Sequence, residues 1–133
     1  LAAEVDDDFR RTLWFKLVGN ASLNPVAATR HLTIGQMMRD ALALAEVRAL
    51  MIEALEVGGS LGLVRNVEEE ADARLAYASR LDDVKPSTLQ DLEAGRSLEV
   101  GPILGATIEL AGRRGIAVPH LRAIEAELRA LSP

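Results

Sequence analysis

There is no cysteine in this chain. That removes a disulfide framework, a thiolate nucleophile and any cysteine-based zinc site. The two histidines, His31 and His120, are too far apart and too unaccompanied to suggest a metal centre or a catalytic triad. Aromatic residues are scarce: Phe9, Trp14, Phe15 and Tyr77 are all there are, so the core must be aliphatic and rich in alanine. No apolar run reaches the roughly 18 residues that a membrane span needs, and no signal-peptide pattern opens the chain. Alternating β-branched stretches are missing. No strand leads into a glycine-rich turn, which excludes both a dinucleotide fingerprint and a P-loop. Positive charge is also in short supply, with 15 Lys and Arg against 20 Asp and Glu. A net charge of −5 argues against a general binder of phosphate backbones. The doublets Arg10-Arg11 and Arg113-Arg114 read as solvated helix faces. The expectation is a cytoplasmic protein with no metal, nucleic acid or membrane partner.

What is present favours helix. Hydrophobic residues make up 49% of the 133 positions, and Ala, Leu, Glu and Arg dominate. The length suits one domain with a proper core. The chain starts at Leu1 rather than methionine, which reads as a piece of something longer. A first helix is expected over about residues 6 to 22, with Asp6, Asp7 and Asp8 at its positive end. Pro25 removes a donor and disfavours helix at Asn24, so a bend or break is expected there. Thr33 with Gln36 has capping-box spacing. From Asp40 to about Val57 an amphipathic helix places Leu44, Val47, Met51, Ala54 and Leu55 on one stripe, and Gly58-Gly59 reads as its stop. Asn66 with Glu69 opens another helix, to about Arg80. A further one starts at Pro86-Ser87 and stops at Gly95. Residues 99 to 114 put Ile103, Ala106 and Leu110 on one face, with Pro102 tolerated in the first turn. The last helix carries Leu121, Ile124, Leu128 and Leu131. With no repeat or linker to divide it, residues 1–133 form one all-α domain.

Three polar residues interrupt the first helix at four-residue intervals: Lys16, Asn20 and Asn24. Steps of four residues drift only about 40° around a helix, so the three share a face. Buried without partners, such groups cost roughly 1–3 kcal/mol each. They therefore hold one another and the backbone, or they hold a ligand. Taken singly, Lys16 reads as a snorkelling lysine and the asparagines as partners for backbone near Pro25. Downstream, Ser87 and Gln90 have the spacing of a capping box, and Glu99 suits a helix start by its charge. Asp91 and Glu93 read as an ordinary exposed face.

The ordered set is more specific than its parts. Trp14-x-Lys16-x3-Asn20-x3-Asn24-Pro25 is followed by Ser87-x2-Gln90-Asp91-x3-Gly95-Arg96-x2-Glu99. Together they resemble the C-terminal domain of the ketopantoate reductase (2-dehydropantoate 2-reductase) family. The likeness continues through Gly112-Arg113-Arg114-Gly115-Ile116-Ala117-Val118-Pro119 and so covers nearly the whole chain. It implies a multi-helical bundle similar to the C-terminal domain of 6-phosphogluconate dehydrogenase. It also implies an N-terminal Rossmann domain that binds NADPH and is absent from this chain, so that the chain alone is expected to be inactive. The implied reaction is reduction of a small 2-oxo acid, ketopantoate to pantoate, in pantothenate and coenzyme A synthesis. By the same resemblance Lys16 is the general acid at the reacting carbonyl, and Glu99 contacts the substrate and sets the lysine. Asn20, Asn24 and Ser87 correspond to residues that bond the substrate or orient the lysine.

Elementary chemistry suits those roles. Hydride arriving at a carbonyl carbon builds charge on oxygen, which an ammonium stabilises and protonates. An apolar setting among Trp14, Leu17 and Val18 is expected to strip water from the lysine and make it a readier acid. Asparagine both donates to and accepts from a hydroxy acid without adding charge. Two positions depart from the family pattern: Gly101 stands where an aspartate is frequent, and Leu104 where an asparagine is. The readings that stay open are another 2-oxo acid or an imine as substrate, or a non-catalytic helical module that dimerises. A homodimer is compatible with each.

Overall fold

The computed structural model describes the backbone of residues 2–98 and 100–131 and the side chains of residues 7–98 and 101–131. Seven helices account for the described residues: α1 (Ala2–Arg30), α2 (Ile34–Arg39), α3 (Ala41–Ser60), α4 (Val67–Ala78), α5 (Ser87–Glu93), α6 (Val100–Arg113) and α7 (Pro119–Leu131). No strand occurs among them, and the all-α expectation holds. The bundle is organised around α1, which packs directly against α3, α5, α6 and α7. Its middle is small and apolar, and Val18, Ala21, Val26, Ala27 and Ala28 are wholly excluded from solvent. Side chains that short let four neighbours approach one helix.

That packing explains the first correction. The helix expected to end near residue 22 runs on through Pro25 to Arg30. A proline inside a helix costs about 3 kcal/mol. The residues just beyond it, Val26 to Ala28, return roughly 0.8 kcal/mol for every buried methylene-sized group. The chain stays helical because unwinding there would expose them. Ser22 and Thr29 turn their hydroxyls back onto the carbonyls of Val18 and Pro25, at 2.7 and 2.8 Å. His31, with φ of 55°, then takes the left-handed position that ends the helix.

Gly58 and Gly59 do not stop α3, which continues to Ser60 before Gly62 turns left-handed at φ 75°. Gly58 serves packing instead. A Cβ built on it would lie 2.2 Å from Trp14 Nε1, and that indole donates to the Ala54 carbonyl at 3.2 Å. The expected starts hold better. Thr33 and Gln36 form a reciprocal capping box on α2, while Asp40 caps α3 and Asn66 caps α4. The Ser87–Gln90 box does not form. Pro86 takes the cap position without a side-chain bond, and Gln90 Nε2 reaches back to the Lys85 carbonyl at 2.8 Å.

On α6 the buried face is one position off the expected stripe. Leu104, Thr107, Ile108 and Ala111 point inward, and Ala106 is exposed. On α7, Leu121, Ile124 and Leu128 are buried as expected, but Leu131 is 40% exposed. Thr107 sits in the core with its hydroxyl satisfied by the Ile103 carbonyl at 2.8 Å, so a polar residue hid the true stripe.

Candidate functional site

The three polar residues of α1 do share one side of the helix, and they divide into a pair and a single. Asn24 Nδ2 donates to Asn20 Oδ1 at 3.1 Å, with both side chains half-buried. In this arrangement the Asn20 NH2 and the Asn24 carbonyl make no bond among the described residues. The pair thus presents both donors and acceptors, as a hydroxy acid or its oxo form requires. Lys16, a turn earlier, has no hydrogen-bond or ion-pair partner among the described residues and is exposed. Trp14 and Val18 do not supply the apolar setting expected for it. They turn into the core instead, because the hydrophobic stripe of α1 runs on the side opposite Lys16.

Ser87 stands at the first residue of α5, exposed, next to buried Pro86 and Thr88. The segment leading to it is pinned from below. Ile34 N–H donates to the Val84 carbonyl at 3.0 Å, and the Thr33 hydroxyl donates to Asp83 at 3.0 Å. The Thr33 hydroxyl first, and then Arg39, which donates to Asp83 at 2.9 Å, hold the Asp83 carboxyl below the usual carboxylate range. The start of α5 is therefore set by α2 as well as by its own packing on α1. Glu99 lies outside the described residues. Its neighbour Val100 opens α6, a helix that also packs on α1. Gly101 borders a shallow cleft with Leu98, Pro102 and Gly105 between α6 and α7. Leu104 is fully buried and offers no group to a site.

Sequence reasoning missed one feature next to Lys16. A groove of about 170 Å³ runs between α1, α3 and α4, with Phe15, Leu23, Tyr77 and Leu81 as apolar walls. Lys16 and Arg74 are its two cations, and Gly19 lines it between Lys16 and Leu23. The Arg74 guanidinium lies 4.0 Å over the centre of the Phe15 ring, a cation–π contact. No spacing rule links residues 15 and 74; only the packing of α4 through α3 brings them together. Among the described residues there is no cluster of acidic or histidine side chains that would hold a metal ion. No described helix is long and apolar enough to cross a membrane.

Comparison with known proteins gives this geometry a context. Residues 8–132 match the family model described as "Ketopantoate reductase PanE/ApbA C terminal". A 2-dehydropantoate 2-reductase of Mesorhizobium japonicum is 36% identical over 99% of this chain and 40% of its own length. The crystal structure of 2-dehydropantoate 2-reductase from Methylococcus capsulatus superposes with a TM-score of 0.82 at 29% identity, covering 91% of this chain and 42% of that one. A dimeric ketopantoate reductase from Staphylococcus aureus shares the fold, with a TM-score of 0.84 at 23% identity, over 92% of this chain and 43% of its own. The chain thus spans about two fifths of the length of the relatives it matches.

Proposed function

The chain belongs to the ketopantoate reductase C-terminal family, and we propose on that premise that it is the substrate-holding domain of an NADPH-dependent 2-oxo acid reductase. Ketopantoate is the leading substrate and pantoate the product. The observation that carries the reading is the α1 face on which Lys16 stands one turn before the mutually bonded Asn20 and Asn24.

The described residues hold no strand and no glycine-rich phosphate cradle, so they do not fit a dinucleotide. In this proposal a further domain holds most of the hydride donor, and this chain chiefly holds the substrate. The Lys16 ammonium bonds the carbonyl oxygen, stabilises the negative charge that grows there and delivers the proton that completes the alcohol. The free amide of Asn20 and the free carbonyl of Asn24 orient the substrate's oxygens. Ser87 adds a hydroxyl from the start of α5, and Glu99 sets the lysine from the start of α6. The exposure of Lys16 in this domain suits a site that closes only when a second domain covers it.

A second reading within the same chemistry has its own support. With Leu104 buried and Gly101 lacking a side chain, the start of α6 contributes fewer polar groups than a polyol-like substrate would use. A less hydroxylated 2-oxo acid fits that face as well. A homodimer in solution is part of the proposal, and size-exclusion chromatography with light scattering checks it.

The test is NADPH oxidation by the intact protein across a panel of 2-oxo acids. Lys16→Ala is expected to lower kcat by about 10²–10⁴-fold, the usual contribution of a positioned general acid, with NADPH affinity nearly unchanged. Unchanged turnover would remove Lys16 from the mechanism. Absence of turnover with every 2-oxo acid would leave a non-catalytic helical module as the better account.

A further inference from the structure

Gly19 lies in the middle of α1. Glycine inside a helix costs roughly 0.5–1 kcal/mol relative to alanine. One reason for such a residue is a neighbour that needs the space, as Trp14 does at Gly58. At Gly19, as at Gly101 and Gly112 of α6, none does: beyond its own helix backbone and chain neighbours, a Cβ there would meet no atom within 4 Å. The open space is the groove beside Lys16, which Gly19 lines.

A second observation concerns Arg74 in the same groove. Its side chain is as enclosed as that of Arg48, at 34% against 33% exposure. Arg48 is bonded to two acids at 2.6 Å. Arg74 makes no hydrogen bond: its nearest acid, Glu70, is 4.0 Å away, and its Nε is buried without a partner. Phe15 holds the guanidinium plane from one side and leaves its NH2 groups without an acceptor. A guanidinium so placed suits a planar, two-oxygen anion, which it bonds in parallel.

Size narrows the ligand. The groove encloses about 170 Å³, and a dry apolar cavity of about 150 Å³ is enough for benzene. A methyl group would leave most of it empty, and a phosphate-sized polar group would waste its apolar walls. We infer that this groove is the pocket for the side group of the substrate, with Arg74 receiving the carboxylate, and that the preferred 2-oxo acid carries a ring-sized or branched apolar side group. The inference rests on the 2-oxo acid reading above and adds Arg74 and Gly19 to the substrate contacts.

Binding separates this inference from the reductase reading because it needs no turnover. Pyruvate, 2-oxoisovalerate and phenylglyoxylate are titrated by calorimetry into the intact protein, its Gly19→Leu variant and its Arg74→Gln variant. Gly19→Leu sends its side chain toward the groove from a position whose Cβ meets no neighbouring element within 4 Å, and circular dichroism confirms that the variant folds. The expected order of affinity in the wild type is phenylglyoxylate, then 2-oxoisovalerate, then pyruvate. Gly19→Leu is expected to weaken phenylglyoxylate at least tenfold while changing pyruvate less than twofold. Arg74→Gln is expected to weaken all three about tenfold, and the Arg74 Nε–H resonance should shift on adding phenylglyoxylate only in proteins that bind it. Equal effects of Gly19→Leu on all three acids, or no effect on any, would overturn the assignment. So would a wild type that binds pyruvate as tightly as phenylglyoxylate. If these acids bind as expected but none is reduced, the reductase reading fails and the groove stands as a binding site.

Discussion

Single positions in this bundle divide sharply into those that fill space and those that keep it. Trp14 is the only tryptophan, and its indole has room because Gly58 on α3 lacks a side chain. Replacing Gly58 with alanine improves helix propensity by about 1 kcal/mol. It also drives a methyl group to 2.2 Å from Trp14 Nε1 and 2.9 Å from Val64 Cγ2, where overpacking costs typically 1–3 kcal/mol or more. The clash wins, because the indole is also tethered to the Ala54 carbonyl and cannot swing aside without losing that bond. Urea denaturation of Gly58→Ala should therefore show a net loss of about 1–2 kcal/mol. At this scale the sequence was only half legible. Thr33, Asp40 and Asn66 announced their helices because a cap acts on backbone three residues away. Gly58 misled, since a glycine kept for a contact 44 positions away looks the same in sequence as one that ends a helix.

At the scale of the element, helix ends without a local cap are resolved by what packs against them. The N-terminus of α7 is satisfied by a carboxylate from another helix. Glu53 on α3, 7% exposed, accepts from the backbone N–H groups of His120 and Leu121 at 3.0 and 2.8 Å, and lies 2.8 Å from His120 Nδ1. A negative charge there also suits the positive end of α7. Glu53→Ala leaves those donors without their acceptor in a mostly buried spot and should cost roughly 1–3 kcal/mol. Glu53→Gln keeps one accepting oxygen and should cost less; differential unfolding of the two variants reads the order. Sequence periodicity located α3 and α7 well, yet gave Glu53 no role, because a buried acid on an apolar stripe is explained only by the helix it caps. The length of α1 was likewise illegible: Pro25 argues locally for a break, and only the four helices around it argue otherwise.

Across the whole molecule, α1, α3 and α7 are also tied at the surface. Arg30 bonds Glu46 at 2.8 Å and Glu127 at 2.6 Å. The Arg30 hydrogen bond holds the Glu127 carboxyl below the usual range, against a smaller opposing effect of burial. Glu127 is 45% exposed, so solvent screening keeps the stabilisation to about 1 kcal/mol or less. A carboxylate whose folded pKa is depressed stabilises fully above its unfolded pKa and loses that contribution as pH falls through the folded one. The stability gap between wild type and Arg30→Gln should thus be widest near neutral pH and close below about pH 4. Denaturation midpoints at both ends of that range check it. The order of motifs from Lys16 to Pro119 was sufficient in the sequence to show the family and the all-α architecture. The groove was not, because Phe15, Gly19 and Arg74 belong to no shared pattern and meet only through the tertiary packing of α1, α3 and α4.

The position of α1 has one more implication. Enzymes commonly carry their working residues on loops, which can loosen or reshape while the scaffold stands. Here the proposed proton donor and both asparagines sit on the strut against which α3, α5, α6 and α7 pack. Such a face has little independent freedom: Lys16 can change its rotamer, but Asn20 and Asn24 cannot be displaced without dismantling the bundle. If the proposed reductase opens and closes around its substrate, this polar face is expected to travel as a rigid body.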